Sequence, residues 1–492
     1  MNQSNSIVEG FFSSAERFPK KTAIIWKGET LSYEEVSVNT RKVAAFLKKN
    51  GISKGDRVCF YGEKSPLFVY AYLATHLLGA VAIPLDVKLP KTAVQDVFSI
   101  TEPKIILHPT QNELSLLQFP FDDQLLGTEP LVEYEFPDRS DLADILFTTG
   151  TTGSGKGVQL IHQNILAGAT NSNEFIGNDH SDTEIIPLPL HHAFGLRRVR
   201  TNLYLGATII LVDGFMFPKL FFEAIEHWGA TGICLVPAGF LVIKKLIKDR
   251  YIPYFRQLKY IEFGSSSMNI EDKREIAASL PTTRICMHYG LTEVAANIFT
   301  EFHDFNEKLE SLGKPSPNVS VSILDELGNP CKNYEVGEVS VKGEIQTIGY
   351  WKNDKLSGDS FINGWFKTGD LGYLDEEGFV FLSGRKDDVI NVGGKKVFPT
   401  EIEYALNQHP AIKDSACISV SDGKEVTGEK IKAFIQFEDG SKIEDKELVL
   451  FLSDKLEPYK IPRIFKSAES IPYTKSGKKQ REQLKSNPKE NA

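Results

Sequence analysis

Residues Ile145 to Leu160 read ILFTTGTTGSGKGVQL: an apolar run, a loop of glycine, threonine and lysine, and a second apolar run. The spacing Gly150-x-x-x-x-Gly155-Lys156 imitates the phosphate loop of P-loop nucleotidases. That loop needs a serine or threonine directly after its lysine to hold the magnesium of the nucleotide, and it leads straight into a helix. Here Gly157 follows the lysine, and GVQLIH reads as a strand before any helix begins. The stretch is therefore read as strand, loop, strand. It keeps the makings of a phosphate binder: Gly150, Gly153 and Gly155 let the backbone approach oxyanions, Thr148, Thr149, Thr151 and Thr152 offer hydroxyls, and Lys156 offers charge.

Around this loop the composition bounds the rest. A chain of 492 residues with 41% hydrophobic and 25% charged residues reads as a globular protein of two or more domains. A net charge of −9 lacks the basic excess that nucleic-acid binding requires, so small-molecule chemistry is expected. Cys59, Cys234, Cys286, Cys331 and Cys417 are scattered and form no CxxC pair, which argues against a disulfide framework and a zinc site. The N-terminus carries no uninterrupted apolar core and no later run approaches a membrane span, so a cytoplasmic protein is expected.

Strand-like runs (TAIIW, RVCFYG, AVAIPL, KIILHP, ATIILV, GICLVP) alternate with helical patterns such as SYEEVSVNTRKVAAFLKKNG, whose Val36, Val43, Phe46 and Leu47 share one face. This predicts an α/β fold: a large multi-sheet N-terminal domain with helices packed on its sheets, and a small mobile α+β C-terminal domain. The texture changes near Ser340, where DEEG reads as a turn between Tyr373 and Phe379. The boundary is expected at Gly384–Asp388, giving domains 1–384 and 385–492.

Five segments, in order, carry a resemblance. FTTGTTGSGKG (147–157), HYGLTEV (288–294), GWFKTGDLG (364–372), GRKDDVINVGGKKVFPTEIE (384–403) and PYTKSGKKQR (472–481) together resemble the signatures of the AMP-forming, adenylate-forming superfamily of acyl- and aryl-CoA synthetases and their relatives. Two positions depart from the pattern: Thr149 replaces a serine and Gly155 a proline. The resemblance spans essentially the whole chain. It implies ATP-dependent activation of a carboxylic acid to acyl-AMP with release of pyrophosphate, then transfer to the thiol of coenzyme A. A carrier-protein phosphopantetheine is the alternative acceptor, and a nucleotide-binding protein without ligase activity is the reading from another class.

The resemblance also implies roles. Lys156 and the loop Thr148, Thr149, Gly150, Thr151, Thr152 hold the phosphates that leave. Glu293 helps to hold Mg²⁺, and Thr292 contacts the α-phosphate. Gly264, Ser265, Ser266, His288, Tyr289 and Gly290 form the adenine pocket, with the Tyr289 ring against the base. Asp370 and Arg385 bind the ribose hydroxyls. Lys478 bridges the substrate carboxylate and the α-phosphate, where a point charge stabilises developing negative charge. Asp387 is the hinge about which the small domain turns between half-reactions.

For the acid, PLPLHHAFGL places His192 at the wall or entrance of the pocket, with His191 a competing candidate and Phe194 and Val236 as further contacts. The segment lacks the aspartate of amino-acid-activating relatives, so a fatty, aryl or related organic acid is expected. Arg197 and Arg200, three apart and hence on one helical face, are read as structural or solvated. The alternative is that one of them meets a second anionic group on the acid or the phosphate of a pantetheine arm.

Overall fold

The structure is a computed structural model that describes residues 4–108, 117–148, 155–421, 429–473 and 479–486. The chain divides into two compact units. One comprises residues 1–321 and 341–366, and the other residues 322–340 and 367 onward.

The first unit holds two sheets. In the seven-stranded sheet, β1 (Leu142–Thr148) and β2 (Lys156–Ile161) form an antiparallel pair beside Val81–Pro84, Arg57–Phe60, Ile105–His108 and Gln118–Pro120. The register puts Thr148 opposite Lys156, so the two strands pair on either side of the loop, and helix α1 (His162–Ile176) begins only after β2. The strand-loop-strand reading holds, and sterics explain the glycine after the lysine. A Cβ on Gly157 would lie 2.9 Å from Ile145 Cγ2 and 3.4 Å from Trp351 Cβ, so a P-loop serine has no room there.

The nine-stranded sheet contains β3 (Thr183–Ile186), β4 (Gly232–Leu235), β5 (Tyr260–Phe263) and β6 (Arg284–Leu291), four adjacent parallel strands in the order β6-β5-β4-β3. On the far side of β3 come the parallel strands Thr208–Leu211 and Thr22–Trp26; β7 (Val294–Glu301) returns antiparallel to β6. Strands β4 and β5 are buried at every position and β3 at all but Thr183, which is why they read as short continuous runs rather than alternating ones. Helix α2 (Ala193–Leu205) follows β3. The largest apolar cluster joins side chains from both sheets (Ile24, Val58, Phe60, Leu146, Ile209) to those of the helices, among them Phe11, Val43, Ile165 and Leu203.

The second unit carries the hairpin β8 (Trp365–Leu374) and β9 (Val380–Arg385), turning through Asp375–Phe379 as the DEEG segment predicts, with Gly378 at φ +80°. Helix α3 (Pro399–Asn407) and the three-stranded sheet Ile412–Ser421, Glu429–Phe437 and Ile464–Ser467 share their own core of Ile402, Leu406, Ile431 and Ile435. The contact division differs from the expected boundary at 384/385. Residues 367–384 join the second unit because they bond within it: Tyr334 N donates to Leu374 O, Thr368 Oγ1 to Val339 O at 2.7 Å, and Gly369 N to Glu338 Oε1 at 3.1 Å. Residues 322–340 belong there for the same reason, a return of the chain with no mark in composition. Among the described residues no helix is long and apolar enough to cross a membrane, and all five cysteines are free.

Candidate active site

The carboxyl ends of β3, β4, β5 and β6 bring most of the expected first-unit residues to one edge of one sheet, the edge at which open α/β sheets bind ligands. Gly264–Ser266 follow β5, and Val236 follows β4. His288, Tyr289 and Gly290 end β6, and His192 and Phe194 sit at the start of α2, just after β3. Close approach explains the glycines: a Cβ on Gly264 would stand 2.0 Å from the His288 ring, and one on Gly290 2.4 Å from Ala296 N. The strand register slips between Tyr289 and Leu291, the kind of irregularity that turns side chains out of a regular ladder. Ser265 adopts φ +75°, a conformation rare for a residue with a Cβ.

Thr292 and Glu293 form the turn between β6 and β7. Thr347 N donates to the Glu293 carbonyl at 2.7 Å, and Tyr350 Oη donates to Glu293 Oε1 at 2.8 Å. The carboxylate is thus fixed in orientation. Among the described residues no three His, Cys, Asp or Glu cluster as a metal cage. A single oriented carboxylate fits magnesium, which takes one or two protein carboxylates and completes its shell with water and substrate phosphates.

Thr148 and Lys156 flank the loop mouth. Thr149, Gly150, Thr151, Thr152 and Lys478 lie outside the described residues. Asp370 and Arg385 are brought together in the second unit as direct cross-strand partners, with Arg385 Nη1 donating to Asp370 Oδ1 at 3.0 Å. Asp387 lies in the single turn Lys386–Asp388 after β9. Its side chain is exposed, whereas Lys386 pairs with Glu338 at 2.9 Å and Asp388 with Arg481 at 2.8 Å.

Helix α2 bears out the structural reading of Arg197 and Arg200 and excludes the solvated one. Arg197, Arg198 and Arg200 are all buried, 3%, 0% and 4% exposed. Arg197 Nη2 donates to Glu262 Oε1 at 2.6 Å, and Nη1 to Ser172 Oγ. Arg198 Nε donates to Glu184 Oε1 at 2.8 Å, Nη2 bonds Glu184 Oε2, and Tyr260 Oη donates to the same oxygen at 2.6 Å. Arg200 Nε donates to Tyr72 Oη at 2.7 Å and Nη2 to Asp144 Oδ2. Three cations thus face three buried carboxylates. Burial alone would raise the Glu262 carboxyl; the charges of Arg197 and Arg198 outweigh it and hold it well below the usual carboxylate range. His288, whose Nδ1 lies 2.8 Å from Glu262 Oε1, titrates below an ordinary histidine because burial, reinforced by Arg197, disfavours its charge. Phe194 packs edge-on against the His288 ring at 4.5 Å.

Sequence reasoning missed Glu184, Glu262 and Asp144. The signal was present: each is a lone carboxylate inside a short apolar strand, TEIIP, YIEF and LADILF, where burial demands a cation. His191, the competing candidate, lies 3.7 Å from Asp86 Oδ2, whereas His192 is exposed.

The strand pair ending at Thr148 and Lys156, the oriented Glu293 carboxylate and the close-packed glycines at the carboxyl edge of a parallel sheet fit a nucleotide-dependent ligase. The chain belongs to the AMP-binding enzyme family: the family model matches residues 11–351, and that of the AMP-binding enzyme C-terminal domain matches residues 401–478. It is 31% identical to a 2-succinylbenzoate–CoA ligase of Bacillus velezensis, over 96% of each chain. It is 30% identical to a long-chain-fatty-acid–CoA ligase of Bacillus subtilis, over 96% of this chain and 92% of that one. The fold is similar to that of the o-succinylbenzoate CoA synthetase MenE of Bacillus subtilis in complex with the acyl-adenylate intermediate OSB-AMP, with a TM-score of 0.88 and 27% identity over 98% of this chain and 99% of that one. The same synthetase has been solved with ATP and a magnesium ion, with a TM-score of 0.85, 27% identity and coverage of 97% and 99%.

Proposed function

We propose that this chain is an acid–thiol ligase: it activates an organic carboxylic acid with ATP to acyl-AMP, releasing pyrophosphate, and passes the acyl group to the thiol of coenzyme A. The observation that carries this reading is the convergence of Gly264, His288, Phe194 and Val236 at the carboxyl ends of four adjacent parallel strands. The relatives named as CoA ligases, matched over nearly their whole length, agree with it.

The acid's carboxylate oxygen attacks the α-phosphorus and pyrophosphate departs. Two anions must meet, so the site must neutralise charge without reorganising. Lys156 and the hydroxyls of the loop bind the departing phosphates, Thr292 positions the α-phosphate, and Asp370 and Arg385 take the ribose hydroxyls. Glu293 would hold Mg²⁺, which when bound would supply positive charge to the phosphates. Lys478 stabilises the charge that develops between carboxylate and phosphate. The small domain then turns about Asp387, and the thiol attacks the acyl carbon with AMP as leaving group. We place the enzyme in the cytoplasm, where CoA and reduced thiols are at hand.

Acid-dependent pyrophosphate release from ATP tests the first half-reaction. Supplying CoA against a phosphopantetheinylated carrier protein identifies the acceptor, and the carrier is the outcome that would displace CoA. Lys478→Ala is expected to lose pyrophosphate release by about 10²- to 10³-fold yet still convert supplied acyl-AMP to thioester. Equal loss of both half-reactions would remove Lys478 from its role.

A further inference from the structure

Asp370 and Arg385 face each other across the hairpin of β8 and β9 in the second unit, and the residue just before Asp370 departs from strand backbone. Gly369 adopts φ +73°, which L side chains rarely take, and a Cβ there would stand 3.2 Å from Arg385 Nη2. The guanidinium therefore lies against bare backbone. Arg385 Nη1 donates to Thr368 O at 3.2 Å as well as to Asp370 Oδ1 at 3.0 Å, and Asp370 N donates to Thr368 Oγ1 at 3.1 Å. Three consecutive residues thus seat one arginine. A peptide held at positive φ within a strand needs a partner of its own for its N–H.

Glu338 is that partner. It stands near the start of the strand Gly337–Gly343, is 9% exposed, and is followed by Val339, whose carbonyl accepts from Thr368 Oγ1 at 2.7 Å. Glu338 Oε1 accepts from Gly369 N at 3.1 Å, and Oε2 accepts from Lys386 Nζ at 2.9 Å. One carboxylate thereby fixes the residue just before Asp370 and the residue just after Arg385. The Lys386 side chain is 49% exposed, so this ion pair adds little to stability. Its consequence is geometric: the two ties bracket the pair on both strands of the hairpin and use no atom of Asp370 or Arg385.

We propose that Glu338 is a positioning residue for nucleotide recognition, setting the separation and facing of Asp370 and Arg385 so that both meet the ribose hydroxyls of the adenylate. The inference rests on the reading of that pair as the ribose contacts, and it adds the residue that orients them. Hydrogen bonds weaken steeply as distance and angle degrade, so a loosened pair loses its preference for the hydroxyls before the fold is lost.

Isothermal titration of the full chain with AMP, 2′-deoxy-AMP and 3′-deoxy-AMP tests this without an acid substrate. The parent is expected to bind AMP about tenfold to hundredfold more tightly than at least one deoxy analogue, the range for a hydrogen bond to a charged group. Glu338→Ala removes both ties and should bring that ratio close to one. Glu338→Gln keeps an acceptor for Gly369 N but loses the charge facing Lys386, and its ratio should fall between the two. Both are read in protein whose thermal unfolding stays cooperative; where the alanine protein does not fold, the glutamine variant alone must lower the ratio several-fold. A parental ratio kept by every variant that folds, or AMP and both analogues weakened alike, would make Glu338 a purely structural residue and overturn the proposal. A parent that binds AMP no better than either analogue, or binds none of them, would instead overturn the ribose assignment of Asp370 and Arg385, and this inference with it.

Discussion

Glu262 shows how much one side chain can hold. It accepts from Arg197, lies 3.2 Å from Arg198 Nε and touches His288. Removing one partner of a buried ion pair strands the other, which typically costs about 3–5 kcal/mol. Glu262→Gln is therefore expected to lower the unfolding free energy measured in urea by an amount of that order, and a change within error would show that the arginines find other partners. His162 supplies a pH signature. Both of its ring nitrogens are buried without a hydrogen-bond partner among the described residues, and burial, with the charges of His76 and Arg200 behind it, pushes its pKa well below the ordinary value of 6.5. As pH falls through 6.5 the unfolded chain binds a proton that the native state refuses, so stability is lost on the acid side, by up to about 1.4 kcal/mol per pH unit. His162→Phe should flatten the chemical-denaturation profile between pH 6.5 and 5; an unchanged slope would assign the loss to other groups. Gly157 was legible because it is the single-residue exception to a known loop that Lys156 otherwise matches. The arginine layer was not, because a charge run on a helix is ordinarily solvated and only the fold shows which strand carboxylates face it.

At the scale of elements, strands and helices were read well wherever apolar period and turn chemistry agreed. The Ser32 capping box opens the Tyr33–Lys49 helix, and Gly51, at φ +88°, lies just past its end. The short turn Lys386–Asp388 is where the proposed hinge falls. Asp387 is exposed and pairs with no side chain among the described residues, flanked by two residues that are tied down. If the backbone must rotate there, proline at 387 fixes φ near −65° and also restricts Lys386. Asp387→Pro is expected to keep adenylate formation and lose most thioester formation, the reverse of Lys478→Ala. A folded variant transferring acyl-AMP to CoA at the parental rate would rule the hinge out. Downstream, Arg481 clasps Glu403 through two bonds of 2.9 Å and reaches Asp388, linking α3 to the last residue of the turn.

For the whole molecule, the fold class was legible because alternating strand and helix signals leave few packings, whereas the division into units was not: contacts between segments distant in sequence leave no trace in local composition. Cysteine usage gives a global check. Cys59, Cys234, Cys286 and Cys417 are buried and only Cys331 is partly exposed, with burial raising the thiol pKa of each. Titration of the native protein with a thiol reagent should modify about one group quickly and the rest only on unfolding. Reductant should leave the melting temperature unchanged, and fast reaction of several thiols would contradict the burial pattern.

The return of residues 322–340 to the second unit also sets a timetable for synthesis. The chain passes from the first unit to the second, back, and out again, at 321/322, 340/341 and 366/367. Tyr334, Glu338 and Val339 leave the ribosome before Thr368, Gly369 and Leu374, the residues that bond them. At about 5–20 residues per second, these strand groups wait seconds, unpaired, while the first unit is still gathering its last segment. The first unit cannot close until residue 366 has emerged, so the early part of this enzyme's life is spent with an open strand edge that a chaperone has time to meet.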